Sequence, residues 1–309
     1  MKIKTCLALP VLLMLPIAAT AQGPIDGRIY GKININVELE DPASGDSSTD
    51  IVSNASRLGF AGETTLSEGL EVIYQLEYEV HLDDGDKDGR TFTQRNSFLG
   101  LRGKYGTVKV GKHDTPNKMI QNDIDLFNDQ IGDIKNVLDG ENRENDILMY
   151  TSPTFDGFTV DIATIAGSGD SDLTSSISAA VNYSNDSFFA GFGVDDNVAG
   201  RDVVRFVGQY FVGSLALGLL YERSEPSQVS GADDEDALFF SVAYEVNKFT
   251  WKFQYGSSDQ KAPGKEQLTT GFDYSLGSRT KLFTYFTAFD EDNSAKEVNY
   301  WGLGVEHRF

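Results

Sequence analysis

Sixteen stretches of this chain alternate apolar and polar residues with period two, and that repetition limits the fold more than any other feature. Successive side chains of a β-strand point to opposite faces, so each stretch would have one apolar and one polar face. In the first, Ile29, Gly31, Ile33, Ile35, Val37 and Leu39 alternate with Tyr30, Lys32, Asn34, Asn36 and Glu38. One such strand fits a soluble sandwich as well as a membrane barrel, so the number and spacing of the stretches must decide. They are 27–39, 55–64, 70–81, 93–103, 106–113, 145–152, 157–166, 175–184, 187–195, 202–212, 214–224, 236–246, 248–257, 267–276, 280–290 and 297–309. At 97–101 and 281–289 both faces carry apolar residues, and the register stays open there.

The connections alternate in length. Gly103-Lys104-Tyr105, Asn185-Asp186 and Gly277-Ser278 suit tight turns, whereas Asp41–Asn54, Asp83–Thr91, Pro226–Glu235, Ser258–Glu266 and Glu291–Lys296 are longer and acidic. Short turns at one end, long polar loops at the other and an even strand number characterise outer-membrane barrels. About eight strands would enclose a barrel filled by side chains, whereas sixteen leave an aqueous channel. The expected fold is therefore all-β, a transmembrane antiparallel β-barrel of 16 strands, and the mean hydropathy of −0.29 fits a wet interior. Tyr183, Phe188, Tyr210, Tyr221, Tyr244, Phe249 and Tyr255 fall near strand ends on the outward face, where interfacial girdles belong.

Residues 1–21 read as a cleaved secretory signal: Lys2 and Lys4, an apolar core from Leu7 to Ala18, and Ala19-Thr20-Ala21 before Gln22. Residues 22–309 then form one barrel domain, with an inward loop at about 113–144. Cys6, the only cysteine, leaves with the signal, so neither disulfides nor a lipid anchor at the cleavage point are expected. No later segment approaches the ~20 apolar residues of a spanning helix. Without Lys2 and Lys4 there are 24 basic against 47 acidic residues, a charge of −23, which argues against nucleic-acid binding.

The exception to the strand pattern is His113–Arg143. Ile124, Phe127, Ile131, Ile134 and Leu138 follow one another at steps of three and four, and Asp125, Asp129 and Asp133 repeat every four on the other side. That spacing predicts an amphipathic helix with one apolar and one acidic face. A solvated surface helix would show the same pattern. A connection of about thirty residues is rare without a function, however, and the expectation is a segment folded into the barrel, its acids turned to the lumen.

Tyr30-Gly31-Lys32, Ser56-Arg57-Leu58-Gly59-Phe60-x-Gly62-Glu63 and Tyr74-Gln75-x-Glu77 follow one another in order. So do Arg95-Asn96-x-Phe98-x-Gly100-Leu101-x-Gly103, Gly106-Thr107-Val108-x-Val110-Gly111-Lys112-x-Asp114-Thr115-Pro116, Asp125-Leu126-Phe127-Asn128-Asp129, and Arg143-Glu144-Asn145 with Tyr150-x-Ser152-Pro153. Together they resemble the general diffusion porins of Gram-negative outer membranes over the whole mature chain. The last strand, with Trp301, Leu303, Val305 and terminal Phe309, resembles the signature by which such barrels are recognised for assembly; His307 departs from it.

The resemblance implies an outer-membrane homotrimer that passes ions and small hydrophilic solutes, with a third loop forming the constriction. It implies contacts with outer-membrane lipids, lipopolysaccharide and the barrel-assembly machinery. It places Lys32, Arg57, Arg95 and Arg143 on a basic wall facing Asp125 and Asp129 on the loop, to which the helical wheel adds Asp123 and Asp133. Where such loops usually carry Gly, this chain has Asn128, which tolerates left-handed backbone.

Asp84-Gly85-Asp86-Lys87-Asp88-Gly89 begins like a calcium loop, but its twelfth position is Arg95, where a bidentate Glu is required. No EF-hand and no cofactor are expected, only weak divalent-cation binding by acidic loops. His81, His113 and His307 lack metal-ligand spacing and no G-x-S-x-G is present, so catalysis is not expected. The alternatives are a substrate-specific outer-membrane channel and an outer-membrane barrel hydrolase with a histidine at one rim.

Overall fold

In the computed structural model the described residues are 26–85, 89–166, 175–229, 231, 233–292 and 297–309. The signal segment and the middle of the Asp84–Gly89 stretch lie outside them. The β segments are β1 Gly27–Pro42, β2 Ser48–Ser53, β3 Arg57–Ser67, β4 Leu70–Val80, β5 Phe92–Gly103, β6 Gly106–Asp114, β7 Arg143–Thr151 and β8 Phe158–Ile165. They continue with β9 Ser176–Ser184, β10 Phe188–Val198, β11 Arg201–Val212, β12 Leu215–Pro226, β13 Glu235–Val246, β14 Phe249–Ser258, β15 Lys265–Gly277, β16 Thr280–Asp290 and β17 Val298–Arg308. Except for β2 and β3, sequence neighbours pair antiparallel, and β1 closes on β17 from Lys32↔Arg308 to Pro42↔Val298.

β2 and β3 are two halves of one barrel strand, since β1 pairs with β2 along its upper half and with β3 along its lower half. The described residues thus form a closed barrel of sixteen strands. The expected loop Asp41–Asn54 is partly strand, because the second barrel strand begins at Ser48. It breaks at Ala55, whose φ of 45° is left-handed. The Asn54 amide fills the break by donating to Oδ1 of Asn34, at 3.0 Å, and of Asn36.

The outer face is apolar: Ile29 is 71 % exposed and Leu303 65 %, an arrangement suited to hydrocarbon. The two ambiguous stretches resolve for different reasons. In β5 a register shift opposite Leu76/Tyr78 turns Leu99 and Leu101 outward and leaves Phe98 within. In β16, Leu282 faces out while Phe283 and Tyr285 face in and are buried under Phe127. Both faces are apolar there because one meets lipid and the other meets the inward loop.

Residues 115–142 lie inside the barrel, but the predicted helix is not there. Pro116–Met119 forms one short helix (α1), capped by the Thr115 hydroxyl, which accepts from Lys118 N at 3.2 Å. A single 3-10 turn follows at Ile134–Asn136. Left-handed Asn122 (φ 50°) and Asp129 (φ 69°) interrupt helical winding between them. The apolar spacing still does its work through turns. Ile120, Ile124, Ile134, Val137 and Leu138 pack on the inward side chains of Ala180, Phe189, Val207, Leu220, Ala237 and Phe239. Burial of that cluster holds the loop against one wall and leaves polar space along the other.

Candidate pore constriction

Asp129 stands at the tip of the loop, and the wall supplies its partners from three neighbouring strands. Lys32 Nζ of β1 lies 2.8 Å from its Oδ2, Arg57 of β3 makes a short ion pair with the same oxygen, and Arg95 NH2 of β5 is 3.8 Å from Oδ1. The β2–β3 break aims Arg57, whose Nε donates to the Ala55 carbonyl at 3.2 Å. Glu77 and Glu79 of β4 complete the cluster: Glu77 Oε1 is 2.9 Å from Arg95 Nε and 3.7 Å from Arg57 NH1, and Glu79 Oε2 is 3.4 Å from Arg95 NH1. Tyr30 donates its hydroxyl to Glu77 at 2.9 Å.

Two polar cavities, of about 420 and 610 Å³, meet at this cluster. Arg57, Gln121, Asn122, Asn128 and Asp129 line both. The smaller chamber reaches Arg143, the larger reaches Arg308 near the chain terminus.

The sequence-predicted residues divide into separate groups. Lys32, Arg57 and Arg95 gather on Asp129. Arg143 stands apart: its Nε is 3.0 Å from Asp114 Oδ1 and donates to Asn96 Oδ1 at 2.8 Å. Asp123 is exposed and lines the larger chamber. Asp125 and Asp133 border the chambers, yet their oxygens turn into the loop. Asp125 accepts from Phe127 N and Ile134 N, each at 3.1 Å; Asp133 accepts from Asp129 N and Lys135 N, each at 2.8 Å. Both residues thus line the chambers while their carboxylates accept from the loop's own backbone. An irregular loop leaves backbone N–H groups without carbonyl partners, and these carboxylates satisfy them. The left-handed residue of the turn is Asp129, not Asn128.

The two kinds of aspartate differ in ionisation. Burial alone would push the Asp129 carboxyl up, but the charges of Arg57, Lys32 and Arg95 outweigh it and hold the group well below the usual carboxylate range. Burial and neighbouring Asp133 push Asp125 up, against the two N–H groups that favour its charged form. Glu77 and Glu79 were not predicted as site residues. Their place on the lumen-facing parity of 70–81 is the signal that would have found them.

The model of the Gram-negative porin family matches residues 8–294. The major outer membrane protein P.IB of Neisseria gonorrhoeae is 27% identical over 322 residues, 99% of this chain and 89% of that one. Outer membrane porin protein 32 of Delftia acidovorans is 28% identical over 319 residues, 93% of this chain and 90% of that one. Among solved structures, the anion-selective porin from Comamonas acidovorans superposes with a TM-score of 0.79 at 24% identity, covering 92% of this chain and 99% of that one. OmpT of Vibrio cholerae in its trimer form gives 0.66 at 17% identity, covering 92% and 99%.

Proposed function

The chain belongs to the Gram-negative porin family, and from that premise we propose that the contact between Asp129 and the wall cations is the selectivity element of its pore. The protein is an outer-membrane channel for passive diffusion of small solutes. The observation that carries the proposal is geometric: the cluster sits where the two chambers meet. Lys32, Arg57 and Arg95 against Asp129, Glu77 and Glu79 leave the cluster near charge balance. A balanced pair of opposed charges sets up a transverse field that favours hydrated, dipolar solutes and penalises apolar ones, which lose water on entry. Ion preference is accordingly weak in either direction. Passive diffusion requires no catalytic group, and none is assigned.

We read the working unit as a homotrimer, by analogy with the trimer form of the Vibrio cholerae protein. Its apolar outer face meets membrane lipid and lipopolysaccharide, and the barrel-assembly machinery engages the final strand. The mature chain begins after Ala21. The test is the reversal potential across planar bilayers in a salt gradient at low ionic strength. Asp129→Asn is expected to move the preference toward anions, because it leaves three cations facing two carboxylates, one net positive charge, in a gap partly shielded from bulk screening. An unchanged reversal potential with conductance intact would remove Asp129 from the pore.

A further inference from the structure

We infer that Gln254, on β14 behind the loop, sets where Asp129 stands and is thereby a positioning residue for selectivity. The inference rests on the reading of Asp129 given above. Gln254 is fully buried and lines neither chamber. Its amide nevertheless grips the loop twice: Oε1 accepts from Leu126 N at 3.1 Å, and Nε2 donates to the Gly132 carbonyl. Leu126 and Gly132 lie three residues to either side of Asp129. One planar side chain therefore holds both ends of the turn whose tip carries the carboxylate.

The turn is stiff between those ends. Gln130 N donates to Phe127 O at 2.9 Å, Asp133 N to Gln130 O at 3.0 Å, and Asp129 N to Asp133 Oδ2 at 2.8 Å. A stiff turn held at two points moves as a body when they are released. The neighbours of Gln254 are arranged to the same end. Lys252 Nζ, paired with Asp273 at 3.0 Å, donates to Leu126 O at 2.9 Å and lies 4.3 Å from the centre of the Phe127 ring. Gln267 donates to the Gly132 carbonyl from the next strand. Gly132 itself lies flush on that strand, where a Cβ would come 2.6 Å from Thr269 Oγ1. Interaction between close charges falls with their separation, so a tip that drifts from Lys32, Arg57 and Arg95 frees those cations to attract anions.

Gln254→Met keeps the length and volume of the side chain and removes both hydrogen bonds. Reversal potentials and open-channel current noise are to be measured for wild type, Gln254→Met, Asp129→Asn and the double variant, as purified trimers in planar bilayers. The expected result is a shift of Gln254→Met toward anions, smaller than that of Asp129→Asn, with greater open-channel noise. The double variant should match Asp129→Asn alone, because Gln254 acts through that carboxylate. If Asp129→Asn shifts the potential and Gln254→Met does not, the positioning role is overturned while the pore reading stands. If Asp129→Asn shifts nothing, the pore reading fails and this inference with it. Should Gln254→Met yield no trimer, Gln267→Met, which loosens only the Gly132 end, should shift the potential the same way by less; no shift would overturn the inference.

Discussion

Asp125 and Asp129 are four residues apart and chemically identical, yet the fold gives them opposite tasks. Asp129 meets three wall cations; Asp125 closes a loop turn through Phe127 N and Ile134 N. Asp125→Asn should therefore leave the reversal potential unchanged and lower stability by about 1 kcal/mol, the worth of one backbone hydrogen bond that an amide nitrogen cannot accept. A shift as large as that of Asp129→Asn would show that Asp125 also faces the permeating ions. The depressed Asp129 ionisation carries a pH signature. A carboxyl whose folded pKa lies below its unfolded one contributes stability that is present above the unfolded value and is lost as pH falls through the folded value. Asp129 is depressed, so the difference in reversal potential between wild type and Asp129→Asn should persist below about pH 4, where an ordinary aspartate protonates. Its loss at about pH 4 or above would mean that the cations do not hold the carboxylate ionised. Part of this cluster was legible in the sequence: Lys32 falls on the polar parity of the first strand, while Arg57 and Arg95 were reached through the family resemblance and not through parity, which a register shift breaks at Arg95. The split between Asp125 and Asp129 was not legible, because a helical wheel presumes a helix that left-handed Asn122 and Asp129 do not permit.

At the scale of the element, the inward loop shows which part of a periodic pattern survives when the helix does not. Spacing of three and four residues marked Ile124, Phe127, Ile131, Ile134 and Leu138 as one apolar face. All but half-buried Ile131 are buried, yet they divide between two clusters, Ile124, Ile134 and Leu138 near Phe239, and Phe127 and Ile131 near Phe283 and Tyr285. Burial was thus predictable from the apolar residues although the single face was not, because one face requires the helix that the loop lacks. The loop's root depends on polar residues that no local pattern announces. Arg205 of β11, fully buried, lies 2.8 Å from Glu141 Oε1 and 2.6 Å from Glu222 Oε2. Glu222 Oε1 in turn accepts from Asp139 N at 2.9 Å and Gly140 N at 3.0 Å. Arg205 and Glu222 are cross-strand partners in the β11–β12 hairpin, and the loop brings Asp139, Gly140 and Glu141 to them from a distant part of the chain. Arg205→Met would leave two carboxylates buried without their cation, a change that costs about 3–5 kcal/mol in comparable sites. The expected outcome is a clear drop in the temperature at which heat-modifiable mobility is lost. Adding Glu222→Gln should restore part of it by removing one orphaned charge. An Arg205→Met protein as heat-stable as wild type would show that this root is not held by the triad.

For the molecule as a whole, the period-two pattern was the most legible feature, because lipid outside and polar lumen inside impose opposite demands on alternate residues of every strand. The strand count followed from it; the break in the second barrel strand did not, since Asn54-Ala55-Ser56 reads as the end of a loop. What the pattern leaves to a single register is closure. Pairing of β1 with β17 joins the two ends of the chain, the least local contact in the fold, and until it forms both edge strands present unpaired backbone groups. Phe309 extends that seam by one step: Gly31 N donates to Phe309 O at 3.0 Å, and Phe309 N donates to Gly31 O at 3.1 Å. Its ring lies against residue 31 so closely that only glycine leaves room for it. Deleting Phe309 removes two hydrogen bonds and the ring from the seam, and in hydrocarbon an unpaired backbone group finds no water to replace its partner. The yield of heat-modifiable barrel should fall on deletion and fall less for Phe309→Leu, which keeps both backbone bonds and an apolar side chain. Equal yields for wild type and the deletion, compared by gel mobility with and without heating, would show that closure is complete at Arg308 and that the terminal residue plays no part in it.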